Sequence, residues 1–159
     1  MEPTAYIETS IISYLAARPS RDLITAAHQQ MTTQWWTTRR TAFRLHISEL
    51  VVQEVSDGDP DAARWRLAFL EGIPAVAVTA DALSFARSLV ENLVVPRAAE
   101  ADALHIAIAA ASGMEYLLTW NCRHIANAQV RGKIEELARL HGFEPPILCT
   151  PEELMETDL

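Results

Sequence analysis

The chain has 159 residues, half of them apolar and 21% charged, which fits one globular domain over residues 1–159 and excludes a disordered or low-complexity protein. Its net charge of −8 argues against a tight, passive binder of nucleic acid, which needs a basic face, but not against an enzyme whose carboxylates hold cations. No apolar run approaches the ~20 residues of a membrane span, and the opening MEPTAYIETS has neither a basic stretch nor an apolar signal core, so a cytoplasmic protein without membrane contact is expected.

In chain order, Ala5 to Glu8 reads as a short strand, followed by Thr9-Ser10 and an apolar helical start. After Pro19, Ser20 is the expected N-cap of a long helix reaching about Phe43, with Ile24, Ala27, Met31 and Trp35 on one stripe. Leu45 to Ile47 is a second strand, and Ser48 caps the helix after it. Asp59-Pro60 opens the next helix with an N-cap and a proline in the first turn. Ala75 to Val78 is a continuous apolar strand, and Thr79 caps a helix carrying Ala82, Phe85, Ala86, Leu89 and Leu93 at helical spacing. Ala98 to Ser112 is apolar almost all round, hence a buried helix, and Gly113 stops it. Tyr116 to Thr119 is the fourth strand, Val130 to His141 a helix, and Ile147 to Cys149 the last strand, before a capping box at Thr150 and Glu153. Short apolar strands alternating with helices imply a mainly parallel sheet covered on both faces, a three-layer α/β/α sandwich. In such sheets the working residues gather at the carboxyl ends of the strands.

Acids stand there. Glu8 ends the first strand, Glu54 lies about two turns into the helix after the second, and Asp102 lies about one turn into the nearly all-apolar helix. Asn121 follows the fourth strand. A lone carboxylate on so apolar a helix is costly unless a cation, a base or the helix N-terminus compensates it. Several other chemistries fail on spacing. Asp57-Gly58-Asp59-Pro60-Asp61 misplaces the glycine of a calcium loop, and Cys122, His124 and His105 match no standard zinc pattern. No glycine-rich phosphate loop occurs. Cys122 and Cys149 are expected as free thiols. Trp35 and Trp36 are expected to divide, one in the core and the other covering a helix face or a partner surface.

Tyr6-Ile7-Glu8-Thr9-Ser10, then Ser48 with Glu54 six residues on, then Asp102-Ala103-Leu104-His105-Ile106-Ala107, then Leu117-Leu118-Thr119-Trp120-Asn121 occur in this order. Together they resemble the PIN domain, and in particular VapC-like toxins of bacterial toxin–antitoxin pairs. The stretch Thr119 to Asn127 is similar to a subgroup of those toxins. No single motif is specific; four in the right order are. The resemblance covers about residues 4 to 150. It implies a PIN-like fold and a ribonuclease that hydrolyses RNA phosphodiesters with Mg²⁺ or Mn²⁺. By position, Glu8, Glu54 and Asp102 carry over as metal-binding acids, with Asn121 beside them and Ser10 as a hydroxyl orienting the site. Arg123 and His124 are candidates for touching phosphate. A cognate antitoxin and a homodimer are implied as well. Two positions depart from the family: it usually has Asp where this chain has Glu8, and a fourth Asp where this chain has Asn121. Those departures keep open a second reading, a PIN-like module that binds nucleic acid or protein without strong catalysis. Nothing in the sequence reads a 2′-hydroxyl, so RNA and DNA both stay open as substrates.

Overall fold

A computed structural model describes residues 1–157; residues 158–159, the end of the expected domain, lie outside the described part. Five parallel strands form the sheet: β1 (Thr4–Ile7), β2 (Arg44–Ser48), β3 (Ala75–Val76), β4 (Tyr116–Leu118) and β5 (Ile147–Cys149). Their order is β3-β2-β1-β4-β5. Seven helices flank the sheet: α1 (Thr9–Ala16), α2 (Leu23–Thr38), α3 (Glu49–Val55), α4 (Pro60–Ala68), α5 (Ala80–Glu91), α6 (Glu100–Ala111) and α7 (Ala128–Leu140). Helices α1 to α4 pack on one another, and α5 packs on both α6 and α7. Among the described residues no helix is long and apolar enough to cross a membrane.

The order reverses between β1 and β4, and a parallel sheet opens a crevice at such a switch point, outside the carboxyl ends of its strands. Ile7 pairs with Leu118 there, and both are fully buried with most of β1 and β4. The next residue of each strand, Glu8 or Thr119, is therefore held just past the carboxyl ends of β1 and β4.

The caps expected at Ser48, Asp59 and Thr79 all form, each side chain accepting the backbone N–H three residues on. Thr150 and Glu153 close their capping box, on a short 3₁₀ turn. Gly113 ends α6 at φ +70°, its N–H on Ala110 and that of Met114 on Ala109, which is the Schellman arrangement.

Other expectations shift. Helix α2 starts two residues later than the Ser20 cap implies, because the Asp22 carboxylate takes the Thr25 N–H while Ser20 Oγ accepts from Asp22. The helix also ends early, at Thr38. Thr37 and Thr38 turn their hydroxyls back onto carbonyls of the preceding turn, and the chain tightens into a 3₁₀ turn over Arg40–Ala42. Of the expected stripe only Trp35 is fully buried, and Ile24 is exposed. Trp35 and Trp36 are both buried, with the Arg40 guanidinium lying over the Trp36 ring. Strand β3 stops at Val76 because it is an edge strand whose ladder with β2 involves only two residues. Leu93 is exposed, not on the core stripe, since it leaves α5 at φ +58°. Cys122 and Cys149 are free thiols, the first exposed and the second buried.

Candidate active site at the sheet switch point

Glu8 is the N-cap of α1 and only 5% exposed. Its Oε2 accepts the Ser10 N–H at 3.0 Å, and its Oε1 accepts the hydroxyls of Ser10 and Thr119, each at 2.5 Å. Both hydroxyls also accept a backbone N–H from the turn after β4: Ser10 Oγ takes Trp120, and Thr119 Oγ1 takes Asn121. One buried carboxylate thus fastens the end of β1 to the end of β4. Three donors leave it a single acceptor position, on Oε2.

Glu54 is brought in from α3. Its Oε1 accepts the Thr9 hydroxyl at 2.6 Å and faces His105 Nε2 at 2.6 Å. Burial opposes its ionisation, but the hydrogen bond and charge of His105 and the Thr9 hydroxyl outweigh it, so Glu54 lies below the ordinary carboxylate range. Asp102 sits one turn before His105 on α6 and holds His124 Nδ1 on Oδ2 at 2.9 Å. The His124 N–H bonds to Asn121 Oδ1. Hydrogen bonds and the backbone together close a ring: Glu8 joins Thr9 along the chain, Thr9 bonds Glu54, Glu54 bonds His105, one turn of α6 links His105 to Asp102, and Asp102 bonds His124, which leads through Asn121 and Thr119 back to Glu8.

All the acids singled out in the sequence meet in this ring, and so does Asn121. Ser10 lies inside it as a brace of Glu8, and His124 as the partner of Asp102. Arg123 is exposed on the same turn and has no acid partner within ion-pair reach among the described residues. Four participants were not anticipated: Thr9, Thr119, His105 and Tyr6, whose hydroxyl lies 2.8 Å from His105 Nδ1 and 2.7 Å from Ser48 Oγ. His105 carried a readable signal, since it stands three residues after Asp102 and so shares its helix face. Tyr6 carried none, because alternation in β1 reads it simply as core.

Among the described residues no Lys or Arg pairs with Glu8, Glu54 or Asp102; their cationic partners can only be His105 and His124. Among the described residues no donor reaches Glu54 Oε2 or Asp102 Oδ1. No three His, Cys, Asp or Glu of the described residues crowd into a ready-made metal cage. The donor set still fits a hard cation such as Mg²⁺, which keeps several waters and takes one or two carboxylates from the protein. The groove between α5 and α6 around Arg87 and Arg97 holds none of these acids.

A chain of the VapBC2 complex from Rickettsia felis, solved bound to a DNA fragment from its promoter, superposes on this one with a TM-score of 0.54. The match covers 92% of this chain and 98% of that one at 15% identity. VapC20 of Mycobacterium tuberculosis, a sarcin-ricin loop cleaving toxin, superposes with a TM-score of 0.50 over 72% of this chain and 87% of its own, at 20% identity. The fold is PIN-like. No protein-family model matches the sequence, and no curated protein does. At these identities the likeness speaks for the PIN-like fold alone.

Proposed function

We propose that the protein is a VapC-like toxin, an endoribonuclease that hydrolyses RNA with Mg²⁺ or Mn²⁺. One observation carries this reading: three carboxylates belong to one ring beside the switch point of a PIN-like sheet, and among the described residues no Lys or Arg pairs with any of them. Glu54 and Asp102, each with one oxygen free of protein donors, hold the cation, and Glu8 adds charge and its remaining Oε2 position. When bound, the cation lowers the pKa of a water and offsets charge on the phosphate.

The chain's own residues do the rest. Glu8, Ser10 and Thr119 fix the floor of the crevice by tying β1 to β4. His124 holds Asp102 through Nδ1 and keeps Nε2 free of protein partners for a phosphate oxygen. Arg123, exposed beside it, supplies positive charge to the RNA backbone on a chain that is otherwise acidic. A basic antitoxin segment suits the −8 surface and would block the crevice by entering it. The protein acts in the cytoplasm, and as a homodimer.

The second reading, a PIN-like module with weak or no catalysis, draws on the three donors that already occupy Glu8 and on Asn121 in place of an acid. Incubating the purified protein with RNA and DNA pools, with Mg²⁺ or Mn²⁺ and with EDTA, separates the two. Metal-dependent cleavage of RNA supports the nuclease. Cleavage of neither pool, with no cation binding by calorimetry, supports the module.

A further inference from the structure

Tyr6 and His105 lie next to the site at 0% and 1% exposure, on a strand and a helix that are otherwise apolar there. A phenol and an imidazole in such places are costly unless their polar atoms are satisfied. Here all of them are. Ser48 Oγ lies 2.7 Å from Tyr6 Oη, Tyr6 Oη lies 2.8 Å from His105 Nδ1, and His105 Nε2 lies 2.6 Å from Glu54 Oε1. The chain starts at the N-cap of α3 and ends on a carboxylate of the same helix, passing through β1 and α6.

The direction of the last link follows from its chemistry. An ionised carboxylate only accepts, so Nε2 carries a hydrogen and donates it to Oε1. The Tyr6 hydroxyl stands between Ser48 Oγ and His105 Nδ1, within hydrogen-bond distance of both. The Thr9 hydroxyl adds a second donor to the same Oε1. Every donor converges on one oxygen of Glu54 and leaves the other to the crevice.

We propose that Tyr6 and His105 are positioning residues for Glu54: a buried Ser48–Tyr6–His105 strut fixes the carboxylate through Oε1 and so presents Oε2 to the divalent cation. The inference rests on the reading of Glu54 as a cation ligand. Partners that orient a ligating group set metal affinity without touching the metal, and their loss typically weakens it by about 10-fold or more.

The test is Mn²⁺ affinity of the folded full chain, read from the electron paramagnetic resonance signal of free Mn²⁺, for the native protein and four variants. Glu54→Gln reports on the ligand itself and is expected to lose most of the affinity. His105→Leu is expected to bind about 10-fold more weakly, and Tyr6→Phe several-fold more weakly, with unchanged circular dichroism. His105→Gln, whose amide can still donate to Oε1, is expected to stay within about 3-fold of the native value, which a general packing defect would not allow. Native-like affinity in Tyr6→Phe and His105→Leu, with affinity lost in Glu54→Gln, overturns the strut and leaves the cation reading standing. Native-like affinity in Glu54→Gln removes the cation reading of Glu54 and the strut with it. If His105→Leu fails to fold, Tyr6→Phe and His105→Gln decide: native affinity in Tyr6→Phe, or a loss in His105→Gln as deep as that of Glu54→Gln, overturns the proposal.

Discussion

Thr119 Oγ1 donates to Glu8 Oε1 across the switch point of the sheet, joining residues that stand 111 positions apart in the chain. The same hydroxyl accepts the Asn121 N–H, so it orders both the buried acid and the turn that carries the rest of the ring. Thr119→Val keeps the volume and removes the hydroxyl. Glu8 then loses one of three donors while remaining buried, which typically costs about 1–3 kcal/mol. Urea denaturation should show that loss, and stability equal to the native protein would mean that Glu8 does not depend on this bond.

Glu54 gives the fold a dependence on acid. Its pKa in the folded protein lies below the ordinary 4.5, so its contribution is fully present above that value and is lost as pH falls through the lower, folded one. Denaturation midpoints measured in EDTA should therefore fall more steeply below about pH 4.5 in the native protein than in Glu54→Gln. Parallel acid limbs in the two proteins would contradict the assignment.

Asn121 spends its side-chain oxygen on the His124 N–H, a bond that a carboxylate also accepts. Asn121→Asp should therefore keep the turn and add a negative charge beside Asp102. Calorimetry should show several-fold tighter binding of Mn²⁺, in keeping with the dependence of cation affinity on ligand charge. Unchanged affinity would place position 121 outside the cation's reach.

At the far end of α5, Leu93 occupies the position that Gly113 fills after α6, with the same pair of bonds, its N–H on Val90 and that of Val94 on Leu89. Leu93 does so at φ +58° with an exposed side chain, where a branched residue is strained. Relief of about 1 kcal/mol, offset in part by glycine's greater entropy when unfolded, should leave Leu93→Gly more stable by about 0.5 kcal/mol. Thermal unfolding measures this, and a lower midpoint would show that Leu93 contributes packing that its exposure conceals.

Much of this arrangement was legible beforehand where the signals are local. Caps such as Ser48, Asp59 and Thr79 lie within three residues of their partners, and the apolar runs of β1 and β4 announce a buried parallel sheet. The acids stood out because they interrupt or end apolar segments. What stayed hidden is either competitive or long-range. Asp22 displaced Ser20 as a cap because its charged oxygen is the stronger acceptor for the Thr25 N–H. β3 came out shorter than its apolar run, since an edge ladder depends on its neighbour and not on hydropathy. Tyr6 and His105 meet across 99 positions, and no spacing rule connects a core aromatic on one strand with a histidine on a distant helix.

The central claim is that the carboxylate ring cleaves RNA with a divalent cation, and Asp102 is its sharpest point, since it holds His124 with one oxygen and leaves the other free. The most direct measurement is cleavage of a mixed RNA pool by the native protein and by Asp102→Ala, each with Mn²⁺ and with EDTA. The account predicts fragments only from the native protein with metal. Equal cleavage by Asp102→Ala, or cleavage that persists in EDTA, would contradict it.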